Sequence, residues 1–326
     1  MLSGLLPINT DLFIYLLIFY IFQMISLSVV IPCHNQAANI RQLLRSLEQQ
    51  TLPPSRFEVI VSDDGSTDDT PEVLKNYRAA FAFQGLLSPI NQGPSVARNR
   101  AISAAAAQYI VLLDGDMTVH PLLLETYQQR LTQSPTTILI GSVEPAPGEN
   151  KNSLAWYRVR RGAYKLKPDQ PIPPRYFRSQ NAALSAEWFK RTGPFNEAYR
   201  EPGGEDLELG YRLSKAGGHF AVAPKALAFH HHPLSLSGHL DKTTRYAKGN
   251  LKRLLHDCPN HGAIGYLSVF RSPNPLLQLS LSLLFLSGFT PLVSLLAKRA
   301  GVGPFSAWLY DYLTYSTLYR ALREAS

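Results

Sequence analysis

Cysteine is scarce in the 326-residue chain, which contains only Cys33 and Cys258. Two cysteines cannot form a disulfide framework or a thiolate zinc site. A reducing compartment, with a function that faces the cytosol, is therefore the default expectation. No internal repeat or low-complexity tract is evident either, so the length indicates one large α/β domain with an appendage, or two modest domains.

Acidic residues are outnumbered, because 24 Asp and Glu stand against 32 Lys and Arg, and the formal net charge is +8. A basic excess of this size suits anionic partners such as nucleotides, nucleic acid or acidic lipid headgroups. The charge alone does not choose among them.

Long hydrophobic runs are limited to two, and the first covers residues 12–22. This run is too short to span a bilayer alone. It also lacks the basic n-region and the small-residue cleavage site of a signal peptide. Because Met24 precedes a natural first strand, the hydrophobic N-terminal segment, residues 1–26, is either a membrane-dipping anchor or a dispensable extension.

The second run, residues 276–297, carries no charge over about the length of a spanning helix. Its four serines and Pro291 make it a marginal span and favour a kink or two short re-entrant pieces. Lys298 and Arg299 follow it and would lie on the cytoplasmic side.

An aromatic helix is predicted next, and one face of it suits the interface plane of a membrane. We therefore expect the helical C-terminal region, residues 236–326, to be membrane-associated at a cytoplasmic face, as a peripheral or re-entrant segment. A helical hairpin packed on the main domain is the alternative. The predicted interface face comprises Phe305, Trp308, Leu309, Tyr312 and Leu313.

Strands and helices alternate from residue 27 onward. The runs LSVVIP, FEVIVSDD and YIVLLD predict buried strands, and amphipathic or alanine-rich helices separate them. This order is typical of a doubly wound α/β domain with a mostly parallel central sheet and helices on both faces. Ligands bind beyond the carboxyl ends of such strands, where Pro32, Asp64 and Asp114 lie.

The pattern is looser after residue 121. TILIGSV predicts a strand, NAALSAEWFKRTG and GGEDLELGYRLSKAGG predict helices, and HFAVAPKALAFHHHP predicts a pair of strands. The basic, proline-rich stretch near residues 150–180 predicts a long loop over the site.

Asp114 and Asp116 flank Gly115 directly after an apolar strand. Carboxylates one residue apart can face one hard cation, and Gly115 lets the backbone turn closely. An acidic turn without a ligand is the alternative. Magnesium or manganese held by one or two carboxylates and by substrate phosphates is the expected mode.

Further polar features lie at predicted strand and helix ends. Asp64 can accept hydrogen bonds from a base or from ribose hydroxyls, whereas Asp68 and Asp69 are expected to cap a helix. Arg98 starts a helix, which suits phosphate. Glu205 and Asp206 follow two glycines and suggest a general base facing an acceptor hydroxyl. The histidines 230–232 end a strand, and one of them could complete a divalent-cation site.

Six motifs together resemble glycosyltransferase family 2, which has the GT-A fold. The resemblance covers roughly residues 27–235 and implies a GT-A domain there. It also implies a nucleotide-sugar donor, expected to be a UDP-sugar, a divalent cation (Mn²⁺ or Mg²⁺) and inversion by direct displacement. The expected partner is a glycan or lipid-linked acceptor rather than nucleic acid. The motifs are SVVIPCHN, VIVSDDGSTD, NQGPSVARNRAI, LLDGDM, GGEDLELGYRL and AFHHHP.

The same resemblance assigns roles to individual residues. It implies that Asp206 is the base, with Glu205 beside it. It implies that Asp116 binds the cation on the diphosphate, that Asp114 leans toward the ribose or the metal, and that His230 reaches the metal or diphosphate. The residues implied to bind the donor are Pro32, Asn35, Asp64, Gly93, Arg98, Asp114, Gly115, Asp116 and Asn181.

The chain departs from the family in one motif. The QxxRW motif of processive synthases is missing, and TTRYAKGN follows the histidines instead. This favours single or few transfers, near a lipid-linked or membrane-proximal acceptor. A nucleotidyltransferase is disfavoured because PCHNQAAN, not a glycine-rich basic loop, follows the first strand. A non-catalytic membrane-bound nucleotide-sugar-binding protein is disfavoured because Asp116 and Asp206 are present.

Overall fold

A computed structural model describes residues 26–147, 154, 157, 172–201, 203–231, 235–259, 269–270, 273–285 and 288–324. The predicted N-terminal segment, apart from residue 26, and most of the predicted loop near residues 150–180 lie outside these residues.

The centre of the molecule is a mixed sheet of eight strands in the order β3-β2-β1-β4-β7-β6-β8-β5. Six strands run in one direction, whereas β7 and β5 run against their neighbours. The strands are β1 (Leu27–Cys33), β2 (Phe57–Asp63), β3 (Ala82–Leu86), β4 (Tyr109–Leu113), β5 (Met117–Val119), β6 (Thr137–Pro145), β7 (Asn181–Ser185) and β8 (His219–His230).

Helices cover the sheet and form the C-terminal region. Short helical turns lie at Pro54–Arg56 and Pro174–Tyr176, and a π-helical turn lies at Ala247–Leu251. The α-helices are α1 (Ala37–Glu48), α2 (Thr70–Asn76), α3 (Pro94–Ala104), α4 (Leu123–Gln133), α5 (Ala186–Thr192), α6 (Glu205–Lys215), α7 (Leu236–Tyr246), α8 (Lys252–Asp257), α9 (Pro275–Phe285), α10 (Phe289–Arg299) and α11 (Pro304–Glu324).

The two faces of the sheet pack against different helices, as the strand period of two requires. Val29 and Ile31 of β1 point into a core shared with α1, α2 and α4. Val30, between them, points into a second core shared with α3, α5 and α6. The prediction of helices on both faces is therefore confirmed.

The candidate site residues gather at one edge of the sheet. β1, β2 and β4 are parallel, so their carboxyl ends, near Cys33, Asp63 and Leu113, lie side by side. Loops after these ends carry Asn35, Asp64 and residues 114–116. The fold thus brings together segments that are far apart in the sequence.

Two segments differ from their predictions. The first part of NAALSAEWFKRTG is strand β7, not helix, because Ala182, Ala183 and Leu184 are fully buried between β4 and β6. Helix α5 begins after it, where Ser185 Oγ accepts the N–H of Glu187. The predicted pair of C-terminal strands is in fact the single strand β8. Its pairing with β6 is irregular between Gly141 and Ser142. Pro224 lies at this point of β8, and proline has no N–H to donate to the neighbouring strand.

The hydrophobic run 276–297 forms two helices, α9 and α10, which agrees with the predicted interruption. Pro291 lies in the first turn of α10, where proline is tolerated. Within the described part of the chain, no single helix has the length and hydropathy of a membrane span, but α9 and α10 together pass that test as a pair bent by 54°.

Candidate functional site

Arg98 joins the end of β4 to the start of α6. Its Nη2 donates to Asp114 Oδ1 at 2.8 Å, and its Nη1 donates to Glu205 Oε1 at 3.3 Å. The guanidinium group is buried and lies 5.3 Å from the centroid of the Phe195 ring. One cation therefore fixes two acidic segments that the sequence separates by about ninety residues.

Burial and mutual repulsion shift the titration of these carboxyl groups. The pKa of Glu205 is raised to about 7, mainly by burial and also by the charge of Asp206, against the opposing charge of Arg98. Burial also raises the pKa of Asp114, against the opposing charge of Arg98. For Arg98 itself burial lowers the pKa, but the surrounding carboxylates outweigh it and hold the pKa above its usual range.

Glu205 and Asp206 face different surroundings although they are adjacent. Glu205 is buried, and its Oε2 has no hydrogen-bond partner among the described residues. Asp206 is half-buried, and its Oδ1 accepts the N–H of Ser179 at 3.2 Å. Asp206 is therefore the acid that a substrate can reach, whereas Glu205 points to Arg98.

Two glycines directly precede this acidic pair in the chain. Gly203 and Gly204 have φ angles of 99° and 96°, in the left-handed region that favours glycine. A Cβ on either would lie 3.1 Å from the ring of Tyr246. The turn can therefore pack against the helical C-terminal region only if both residues lack a side chain.

Asp116 lies beside His230. The antiparallel pairing of Met117 with His230 sets this register, and His230 Nε2 lies 3.4 Å from Asp116 Oδ2. Both side chains are largely buried, with 16% and 15% of their surface exposed. The ring of His231 instead contacts Thr118 Oγ1 at 2.7 Å, and His232 lies outside the described residues.

These two side chains suit a hard divalent cation whose remaining ligands come from the substrate. A carboxylate oxygen and an imidazole nitrogen converge at Asp116 and His230. No group of three or more His, Cys, Asp or Glu side chains in the described ranges is arranged as a metal site. Magnesium-type sites need only one or two carboxylates when phosphate oxygens supply the remaining ligands. Asp114 contributes less, because Arg98 already binds its carboxylate.

Asp64 orders the loop that precedes α3. Its two carboxylate oxygens accept the N–H groups of Gln92 and Gly93 at 2.9 and 2.8 Å. The side chain is buried. Asp64 and Gly93, both predicted to bind the donor, are thus hydrogen-bonded to each other at the start of α3, the helix that carries Arg98.

Asn35 and Pro32 also lie at this edge. Asn35 has a left-handed φ of 52°, and its Oδ1 accepts the N–H of Thr67 at 2.8 Å. It therefore ties the loop after β1 to the loop after β2.

The predicted capping role of Asp68 and Asp69 differs from the structure: Asp69 is the N-cap residue of α2, and its side chain makes no capping hydrogen bond. Asp68 precedes the cap; its Oδ1 accepts the N–H of Thr70 at 2.9 Å, and its Oδ2 accepts the N–H of Ala37 of α1 at 3.1 Å.

Packing within the protein limits the size of the side chain at Gly115. The residue is buried, and a Cβ there would collide with the side chain of Gln36 and lie 3.1 Å from the carbonyl oxygen of Pro32. The missing side chain lets the acidic turn pack against the start of α1.

Asn181 is placed in the sheet rather than in the site, which corrects the prediction that it binds the donor. Its side chain is buried, and its Oδ1 accepts the hydroxyl of Tyr127 at 2.7 Å. Its Nδ2 donates to the carbonyl oxygens of Ser142 and Ala226. These bonds satisfy the amide within the protein.

Sequence reasoning missed two residues that shape the site. Ser179 is buried, and its N–H holds Asp206. Asn250 lies in the π-helical turn, and its Nδ2 donates to the carbonyl oxygens of Glu201 and Gly203. The stretch TTRYAKGN contains Asn250, but neither its periodicity nor its composition indicates a contact with the turn that precedes Glu205 and Asp206.

Comparison with known proteins decides the family. The model of the family described as glycosyl transferase family 2 matches residues 28–193, which is about half of the chain. The chain belongs to glycosyltransferase family 2. The matched range runs from β1 through α5 and contains the acidic turn and Arg98.

Known relatives and solved structures are similar over a larger part of the chain. The hyaluronan synthase of Pasteurella multocida is 28% identical over 70% of this chain and 26% of its own length. The mannosyltransferase PcManGT from Pyrobaculum calidifontis, solved with GDP-Man and Mn²⁺, has a TM-score of 0.61 at 20% identity and covers 92% of this chain and 85% of its own. TarS residues 1–349 of S. aureus, solved with UDP-GlcNAc, has a TM-score of 0.56 at 17% identity, with 93% of each chain covered.

These similarities agree with the predicted GT-A fold, through the mixed α/β sheet and its helices. The chain spans about a quarter to a half of the length of the curated relatives it matches.

Proposed function

We propose that the protein is an inverting, metal-dependent glycosyltransferase that moves a sugar from a nucleotide sugar to a hydroxyl group of a glycan or lipid-linked acceptor. The observation that supports this most is the convergence of acidic groups at one sheet edge. Arg98 binds both Asp114 and Glu205 there, and Asp116 lies beside His230. Membership of the family supports the same reaction class.

Asp116 and His230 are the residues that would hold Mn²⁺ or Mg²⁺. A cation bound with the donor would neutralise the negative charge that develops on the leaving diphosphate. Arg98 keeps the turn after β4 and the start of α6 in fixed positions, because its two ion pairs bridge them.

Asp206 would act as the general base. It is the more exposed acid of the pair, and the N–H of Ser179 orients its carboxylate. As the acceptor oxygen bonds to the anomeric carbon, Asp206 takes the hydroxyl proton and the nucleoside diphosphate leaves from the opposite face of the sugar. A single displacement of this kind inverts the anomeric configuration.

The proposed donor is a UDP-sugar, and the proposed acceptor is a glycan or a lipid-linked glycan. Similar folds have been solved with UDP-GlcNAc and with GDP-Man, so the nucleotide has to be measured. The relative named hyaluronan synthase favours a glycan product, but this chain spans only 26% of it.

The first experiment is a thermal-shift screen of UDP- and GDP-sugars, each with Mn²⁺ and with chelator, followed by turnover of the stabilising donor. We expect Asp116→Asn to lose both the Mn²⁺-dependent stabilisation and the turnover. We expect Asp206→Asn to keep the stabilisation but to lose transfer by about a hundredfold or more, because the base contributes to the transition state. Glu187→Gln, an exposed acid on α5, is the matched control.

Each outcome decides one assignment. Wild-type metal-dependent turnover by Asp116→Asn would remove this residue as a ligand, and unchanged transfer by Asp206→Asn would remove it as the base. Absence of both stabilisation and turnover for every donor would overturn the proposed function.

A further inference from the structure

Large apolar side chains are exposed on α9, α10 and the start of α11, and we name this set the apolar C-terminal face. On α9 the exposed leucines recur three and four residues apart, which places them on one side of the helix. The exposed residues of α10 and α11 recur in the same way. The face comprises Leu276, Leu279, Leu283, Phe289, Leu292, Leu295, Leu296, Phe305 and Trp308, which are 40% to 74% exposed.

The opposite sides of the same helices are packed. Phe285, Val293 and Ala297 are buried in a cluster with Leu309 and Leu313 of α11. The predicted interface face of α11 is therefore divided, since Phe305 and Trp308 are exposed whereas Leu309, Tyr312 and Leu313 are buried. Among the described residues, one side of these helices is therefore packed against protein and the other side is exposed.

The chain segment that carries most of this face has charge of one sign. The sequence contains no Asp or Glu between Asp257 and Asp311, whereas it contains Arg271, Lys298 and Arg299 there. Lys298 and Arg299 are exposed at the end of α10, one turn beyond Leu295 and Leu296 on the same side of the helix. An apolar surface bordered by cations complements an anionic lipid surface, which offers hydrocarbon below negatively charged headgroups.

Trp308 lies where a membrane interface would meet the protein. Its ring packs on Tyr312 at 6.3 Å between centroids, and 60% of the residue is exposed. Tryptophan is enriched at the headgroup level of membranes, because its ring is amphipathic. A second protein chain would need matching acidic groups for Lys298 and Arg299, which a lipid surface supplies without shape complementarity.

We propose that the apolar C-terminal face docks the protein on an anionic lipid bilayer, at the cytoplasmic face of a membrane. The exposed leucines and Phe289 enter the acyl boundary, and Lys298 and Arg299 contact the headgroups. The inference is independent of the proposed function, because it rests on α9, α10 and α11 alone.

The test is flotation of the purified full chain with preformed vesicles, either of phosphatidylcholine alone or of phosphatidylcholine and phosphatidylglycerol in equal parts. We expect binding to the anionic vesicles, weaker binding to the neutral ones, and weakening by salt. Lys298→Gln with Arg299→Gln should weaken binding to anionic vesicles by about fivefold for each charge removed. Trp308 emission should shift to shorter wavelength with vesicles, and this change should be missing in Trp308→Phe.

The decisive variant is Leu279→Glu with Leu283→Glu, because both positions are exposed and the substitution does not disturb the core. Vesicle binding should fall roughly tenfold or more, because the protein loses two apolar side chains and gains two negative charges that the anionic lipid repels. Leu122→Glu, at an exposed leucine before α4, is the matched control and should bind like the wild type.

Two results would overturn the proposal. The first is wild-type vesicle binding by the double glutamate variant. The second is failure of the wild-type chain to bind vesicles while sedimentation shows a dimer that the same variant dissociates, because the face would then join two copies of the chain.

Discussion

Arg98 is the residue on which the site depends. It is buried, and its two ion pairs connect the turn after β4 to the start of α6. A buried cation with two carboxylates keeps its charge, whereas removing one partner leaves an uncompensated group in a low-dielectric place. The carboxyl groups around Arg98 outnumber this one cation. Burial and the neighbouring charge of Asp206 therefore raise the pKa of Glu205 despite the ion pair with Arg98.

We predict a pH dependence of stability that Glu205 causes. Its pKa is about 7 in the folded protein against an ordinary value of 4.5, so the folded state binds the proton more tightly. The contribution to stability is fully present below about pH 4.5 and is lost as pH rises through about 7, at about 1.4 kcal/mol for each unit of displacement. The free energy of unfolding of the wild type, relative to Glu205→Gln, should therefore fall between about pH 5 and about pH 7.5.

Urea unfolding at the two pH values, with chelator and without nucleotide, measures this difference. Gln keeps an oxygen that can accept from Arg98, so the substitution removes the titration more than the hydrogen bond. A difference that rises with pH would show that Arg98 lowers the pKa of Glu205 more than burial raises it, and the prediction would be wrong.

At the scale of elements, the π-helical turn is joined to Gly203 and Gly204, the turn before the proposed base, which we name the active-site turn. Asn250 donates to the carbonyl oxygens of Glu201 and Gly203, and Gly249 lies against the side chain of Glu201. Helix α6 begins directly after Gly204 with the acidic pair. The position of Asp206 therefore depends on a residue more than forty positions away in the sequence.

We predict that Asn250→Ala lowers kcat by about tenfold or more while the donor Kd changes little. The two carbonyl oxygens lose their donor, the turn before α6 loosens, and a small misplacement of the base reduces the rate strongly. Stability should fall by about 1–3 kcal/mol, the cost of leaving buried polar groups without partners. Asn76→Ala, at an exposed asparagine at the end of α2, is the control.

A purely structural role of Asn250 would lower stability and leave kcat unchanged at a temperature well below the melting midpoint. That result would separate the turn from catalysis. Partial recovery of kcat in Asn250→Gln, which retains the amide donor, would support the positioning role.

Strong periodicity made the first half of the fold predictable from sequence. β1, β2 and β4 are short apolar runs bounded by turn residues, and α1 has its leucines on one face. Strand β7 was not predictable, because a short run of alanine and leucine favours helix until burial between two strands decides otherwise. Strand β3 was missed because most of its residues are exposed at the sheet edge.

The site was predictable in part for the same reason. Acidic residues directly after buried strands mark the carboxyl edge of a sheet, so Asp114 and Asp116 could be located. Their partners could not be, since the ion pair of Asp114 with Arg98 and the contact of Asp116 with His230 depend on strand order and on register.

At the scale of the whole molecule, the C-terminal helices are attached to the main domain through a shared core. Tyr199, which precedes the active-site turn, is buried with Leu251 and Leu254 and with Leu318 and Leu322 of α11. Its hydroxyl donates to Asp257 Oδ2 at 3.0 Å. A chain shortened before α11 would therefore lose part of the core beside the site, and point variants test the C-terminal region more cleanly than truncation.

We predict that Leu318→Ala destabilises the protein as one cooperative unit, by about 2–5 kcal/mol, because it opens a cavity in this shared core. Leu292→Ala, at an exposed position of α10, should leave stability nearly unchanged. Unfolding followed by near-ultraviolet circular dichroism and by Mn²⁺-dependent donor binding should shift together in Leu318→Ala. If α11 melted in a separate, earlier transition while donor binding persisted, the C-terminal helices would be an independent module, and any coupling between membrane docking and the active-site turn would have to pass through another contact.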